Sequence, residues 1–138
     1  MQMDTQGIHA ALKIRQPRAN VVVVELSGWD VGEFGDAPLR ELDRCVEAAG
    51  RIHLFIDARS VKGASVEVSN DWALWLRKNR ERLARISMLT GAPFVQLTAK
   101  FVQRFADLGE LMRIYTDAAA FDAALSKAAS PESPEIGV

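Results

Sequence analysis

The residues best suited to be switched or to bind a partner lie between Asp57 and Trp75. Asp57 closes a short apolar run, and Ser60, Ser65 and Ser69 follow it before Trp72 and Trp75. A hydroxyl just ahead of a helix has two uses. It can accept a hydrogen bond from an unpaired N–H of the first turn. Once phosphorylated, it would place negative charge against those N–H groups and the positive end of the helix dipole. Ser65 and Ser69 are therefore candidates both for a helix cap and for a phosphorylation switch. Asp57 stands at the carboxyl end of a buried strand, where open α/β sheets bind their ligands. It lacks the partner groups of an acid–base set, so no catalytic residue is assigned and the chain reads as a non-enzyme.

The aromatic side chains form a second candidate group. Trp72 and Trp75 are three residues apart, while Trp29 and Phe34 sit in the glycine-rich stretch SGWDVGEFGDAP. If the two sets converge at the carboxyl edge of a sheet, buried rings would be core and exposed rings would line an apolar pocket or a contact patch. The candidate ligand or partner surface is thus Trp29, Phe34, Asp57, Trp72 and Trp75. His9, His53 and Cys45 have no metal-ligand spacing, and Cys45 falls on an apolar helical stripe, as a buried small hydrophobe would. No nucleophile elbow, phosphate-binding glycine loop or dinucleotide fingerprint is present, so neither a cofactor nor a metal is expected. The basic run RKNRERLAR, containing Arg77, Lys78, Arg80, Arg82 and Arg85, reads as a solvated helix face that an acidic partner or lipid head group could also use.

These residues must be positioned by alternating strands and helices. Gly7 to Arg15 alternates loosely in polarity, and after the turn residues Pro17 and Asn20 come the four β-branched residues Val21 to Val24, which together predict a hairpin. The stretch after Leu26 is read as a loop. Pro38 opens a helix with Leu39, Leu42, Cys45 and Val46 on one face, and Gly50 stops it. Ile52, Leu54, Phe55 and Ile56 form a strand buried on both faces, expected to end at Asp57. A loop and the tryptophan helix follow, then a strand over Ala84 to Thr90. Pro93 opens a helix whose Phe94, Leu97, Phe101, Phe105 and Leu108 recur at i, i+3 and i+4 steps, with Gly109 as its C-terminal cap. Met112 to Thr116 is the last strand, and Asp117 caps a final helix.

The resulting architecture is α/β: an N-terminal β-hairpin followed by repeated strand–helix units, giving a mainly parallel five-stranded sheet flanked by about four helices. The expected boundaries are a flexible segment over 1–6, one domain over 7–129, and a disordered tail over 130–138.

This order, with an apolar strand ending in aspartate as in LFIDARSV, the long aromatic helix PFVQLTAKFVQRFADLG and the closing unit MRIYTDAAAFDAALSKA, resembles the STAS/SpoIIAA-like superfamily. The half from Asp71 through Leu125 is similar to the bacterial SpoIIAA-like branch that is compared with CRAL-TRIO lipid-binding domains. The resemblance implies a regulatory module that works through a protein partner, with a phosphorylatable serine after the third strand. The matching region here is SVKGASVEVSND, which holds Ser65 and Ser69 without the family's aspartate, serine or threonine, and glycine motif. The comparison with CRAL-TRIO domains implies the alternative of a small carrier or sensor of an apolar, lipid-like ligand.

Composition narrows the partners. In 138 residues, 17 basic and 18 acidic side chains nearly cancel, so no global field draws the chain to nucleic acid. No apolar run reaches the roughly 20 residues of a membrane-spanning helix. The single cysteine and the absence of a secretion signal lead to the expectation of a cytoplasmic protein. The expected partner is another protein, with an apolar small molecule or a homodimer as further options.

Overall fold

The structure, a computed structural model, describes residues 2–130. Six strands lie in sequence order across one sheet: β1 (Gln2–Gln6), β2 (Ala10–Arg18), β3 (Val21–Asp30), β4 (Ile52–Ala64), β5 (Leu83–Thr90) and β6 (Met112–Tyr115). β1, β2 and β3 pair antiparallel, and β3 through β6 pair parallel. Helices α1 (Ala37–Ala49), α2 (Val66–Asn79) and α3 (Pro93–Phe105) form the crossovers, and α4 (Ala118–Ala129) follows the last strand. Each parallel strand adds to the same side of its predecessor. Right-handed crossovers therefore place α1, α2 and α3 on one face, leaving the other to α4.

The cores follow from this arrangement. Val22, Val24, Leu54 and Ile56 pack with Leu42, Cys45, Val46, Ala73, Leu76 and Val102 beneath the three crossover helices. Their alternating neighbours Val21, Val23 and Phe55 pack with Leu89, Tyr115 and Phe121 beneath α4. A strand covered on both faces needs no polar alternation, which is why β3 and β4 read as continuous apolar runs. Local chemistry sets several helix ends as expected. Pro38 lies in the first turn of α1, Gly50 ends that helix at φ 81°, and the Asp117 carboxylate accepts the Ala119 N–H at 3.0 Å.

The structure corrects several expectations. The sheet has six strands rather than five because Gln2–Gln6, expected to be flexible, pairs with β2 as an edge strand. The stretches after Leu26 and after Asp57 begin as strand and not as loop: β3 runs on to Asp30, leaving only the turns over 31–36 before α1, and β4 runs on to Ala64. β3 and β4 continue side by side, with Ser27 opposite Ser60, Gly28 opposite Val61, Trp29 opposite Gly63 and Asp30 opposite Ala64. Gly28 makes the extension possible: at φ 79°, an added Cβ would meet the His9 carbonyl oxygen at 2.3 Å. The basic run is divided among the end of α2, a 3-10 turn at Arg80–Arg82 and β5, so it is not one helix face.

α3 turns its bulky side chains outward. Val95, Ala99 and Val102 face inward, while Phe94, Leu97, Phe101 and Phe105 are exposed. Of the expected stripe only Leu108 is buried. Gly109 does not cap α3 either. The helix ends at Phe105, Asp107 is left-handed at φ 55°, and Gly109, left-handed too at φ 51°, begins a short 3-10 turn. The tail from 131 lies outside the described residues.

Candidate functional site

The extended ends of β3 and β4 deliver the chain into α2. Ser65 takes an extended conformation at φ −66° and ψ 160°, its N–H donates to the Asp30 carbonyl at 2.9 Å, and its Oγ accepts the Val68 N–H at 3.2 Å. It is the N-cap of α2. Ser69 lies one turn on, half-buried within the helix, with its N–H donating to the Ser65 carbonyl at 3.0 Å. Loss of an N-cap hydroxyl costs about 1 kcal/mol, whereas aspartate caps as well as serine. Ser65→Ala is thus expected to lower stability by about 1 kcal/mol, and Ser65→Asp to leave it nearly unchanged, in urea unfolding followed by circular dichroism.

Beside this entrance α2 faces the β3–α1 connection across a groove of about 500 Å³. Its apolar walls are Val31, Phe34, Leu39, Trp72, Leu74 and Trp75, and its acidic members Asp30, Asp36, Glu67 and Asp71 outnumber the one basic residue, Lys78. Trp75 is mostly buried, and its indole N–H donates to Asp43 of α1 at 2.7 Å, fixing the spacing of the two helices. Trp72 lies between this groove and a second cavity of about 90 Å³ lined by Leu26, Gly28, Val61, Ser69, Val95 and Val102, among others. That cavity is apolar but smaller than the roughly 150 Å³ of a protein cavity that takes up benzene. As it stands, it has no room for a lipid chain.

The predicted site residues therefore divide. Ser65, Ser69, Phe34, Trp72 and Trp75 come together around α2. Trp29 does not join them: half exposed, its ring covers Gly63, where an added Cβ would come within 2.4 Å of the ring. Asp57 lies on the opposite side of the sheet. Its carboxylate accepts the Arg59 Nε at 3.0 Å, and the same guanidinium binds Asp122 of α4 at 2.5 Å. Hydrogen bonding from Arg59 lowers the pKa of Asp122. These contacts tie β4 to α4 and leave Asp57 in a structural role.

Sequence reasoning missed Glu33, which organises the β3–α1 connection. Its carboxylate accepts the backbone N–H groups of Ile8 at 3.0 Å, His9 at 2.9 Å and Ala10 at 2.9 Å. Desolvation alone would raise its pKa, but the three N–H groups outweigh it and the net shift is downward. Gly7 is the complement of this bond set, since an added Cβ there would overlap the Glu33 carboxylate. The signal was present only as a glycine paired with a distant glutamate, which no local pattern reveals.

No family model matches the sequence, and no curated protein matches it significantly. Solved structures do. An uncharacterized DUF3478-family protein with a SpoIIAA-like fold from Shewanella loihica PV-4 matches with a TM-score of 0.62 at 14% identity, over 88% of this chain and 98% of its own. The anti-sigma factor antagonist SpoIIAA in its unphosphorylated form matches with a TM-score of 0.53 at 16% identity, over 84% of this chain and 97% of its own. Likeness at this level of identity speaks for architecture and not for activity. The chain has a SpoIIAA-like fold.

Proposed function

We propose that this protein is a non-enzymatic regulatory module that binds a protein partner through α2 and the β3–α1 connection. The groove beside the Ser65 cap carries this reading. It combines exposed apolar side chains, Val31 and Leu74, with a predominantly acidic rim, and so suits a partner segment presenting both basic and apolar residues. A phosphate on Ser65, the N-cap, or on Ser69, which lines the neighbouring apolar cavity, would add charge near the start of α2 and so alter affinity for a partner held there. The likeness to the anti-sigma factor antagonist SpoIIAA supports the regulatory class. The small size of the apolar cavity favours the partner reading over a lipid carrier.

The test is comparative affinity capture from the native host with wild type, Leu74→Glu and a Ser65→Asp, Ser69→Asp double variant. A protein retained by wild type, lost with Leu74→Glu and retained in a changed amount by the double variant is the expected result. Identical recovery by all three would refute the proposal.

A further inference from the structure

Helix α3 has two apolar faces, and the fold uses only one. Its inward side is built from small or branched residues, Val95, Ala99 and Val102. Outward, Phe94 is 61% exposed, Leu97 67%, Phe101 51% and Phe105 41%, and the rings of Phe101 and Phe105 stack with centroids 5.7 Å apart. Four large side chains in one ribbon are an exposed apolar patch, a feature that marks a surface meant to be covered. The charges bordering it say by what. Lys100 and Arg104 are the only charged residues in α3; both are exposed, and helical geometry puts them along the Leu97 edge of the ribbon.

A second copy of the chain fits poorly. Antiparallel seating would oppose Phe94 with Phe105 and Leu97 with Phe101, but it would also line up Lys100 and Arg104 of both copies with no acidic residue in the helix to offset them. A single helix pair about 20 Å long also offers little area beside the roughly 1,200 Å² of a stable interface. An anionic bilayer fits both features, because aromatic and aliphatic side chains enter the boundary between headgroups and acyl chains while cations stay at the phosphates.

We propose that α3 docks this protein on the surface of a membrane containing anionic phospholipid. Phe94, Leu97, Phe101 and Phe105 enter the interface, and Lys100 and Arg104 contact the headgroups. With 13 residues the helix lies on the bilayer and does not cross it. The proposal does not depend on the partner groove, since none of these six residues lines it.

Vesicle flotation tests it, with the full chain and vesicles of phosphatidylcholine either alone or with about one-third phosphatidylglycerol. Wild type is expected to float with the anionic vesicles and much less with the neutral ones. The Leu97→Gln, Phe101→Gln variant is expected to bind roughly ten-fold or more weakly, and Lys100→Glu, Arg104→Glu to lose the preference for anionic lipid. Both pairs replace exposed side chains, and unchanged circular dichroism and melting would establish that each variant is folded. Failure of wild type to float, or equal flotation of the Leu97→Gln, Phe101→Gln variant, overturns the proposal. So does a wild-type dimer in sedimentation that this variant converts to monomer without any vesicle binding, because the ribbon would then be a contact between copies.

Discussion

Replacing Phe121 with alanine is expected to lower the free energy of unfolding by about 4 kcal/mol, the largest loss from any single truncation within α4. Phe121 is fully buried and meets Phe55 and Tyr115 edge to face, each with centroids 5.7 Å away. The other contacts of α4 are smaller: Ala120, Ala124 and Leu125 pack half-buried on the same cluster, and Arg18 of β2 donates to the Ala128 and Ser130 carbonyls. Ala128 is the other buried residue of the helix, and Arg59 to Asp122 is an exposed ion pair of the kind that contributes at most about 1 kcal/mol. Truncation removes aromatic contacts and opens a cavity between two rings that cannot close over it. Urea unfolding of Phe121→Ala beside Asp122→Ala checks the ranking. A loss below that of Asp122→Ala would mean that the charges, not the ring, anchor the helix.

The second large effect is on pH dependence. His53 is buried beneath α4, stacked on Phe55 at 3.9 Å, with its Nε2 2.9 Å from the Ser87 hydroxyl. Burial first, and the nearby Arg85 charge second, depress its pKa from 6.5 to about 4. The unfolded chain therefore binds a proton that the folded chain refuses between those two values. Stability contributed by neutral His53 is complete above about pH 6.5 and is lost as pH falls toward about 4, by up to about 3 kcal/mol. Carboxylates add their own acid sensitivity, so the informative quantity is the difference between wild type and His53→Gln. Unfolding midpoints measured near pH 7 and near pH 4.5 should converge as pH falls, with wild type losing more. Parallel losses would show that His53 takes up its proton as readily in the folded chain as in the unfolded one, so that burial does not depress its pKa.

Much of the architecture was legible in the sequence because burial on both faces leaves a plain record. Val21 to Val24 and Ile52 to Ile56 could only be inner strands, and Pro38, Gly50 and Asp117 marked helix ends through chemistry that acts locally. The errors have physical causes too. β1 is polar because an edge strand with one wet side needs little apolar surface, and only Met3 packs on the core. Gly28 and Gly63 look like breakers, yet they permit the long β3–β4 ladder by admitting the His9 carbonyl and the Trp29 ring. α3 shows helical periodicity on two faces, one of bulky and one of small or branched side chains. The inner face is small because the helix approaches the sheet closely, and nothing in a periodic pattern distinguishes a ribbon turned to the core from one turned outward.

The candidate site was legible in part for a related reason. Ser65 was readable as a cap because capping is a contact between near neighbours in sequence. The grouping of Phe34 with Trp72 and Trp75 was anticipated from topology, since both segments leave the carboxyl ends of adjacent parallel strands. Asp57 and Trp29 were misplaced because the strands run on past the point where they were expected to end. That continuation sets Asp57 against Arg59 and Trp29 against Gly63.

The central claim, a protein partner held at the α2 groove, is tested most directly by placing a photo-crosslinking amino acid in living cells at two exposed positions, Leu74 beside the groove and Arg113 on β6. A single discrete adduct from position 74 that is absent from position 113 is the predicted result. Adducts of equal pattern at both positions, or none at 74 with the protein folded and abundant, would contradict it.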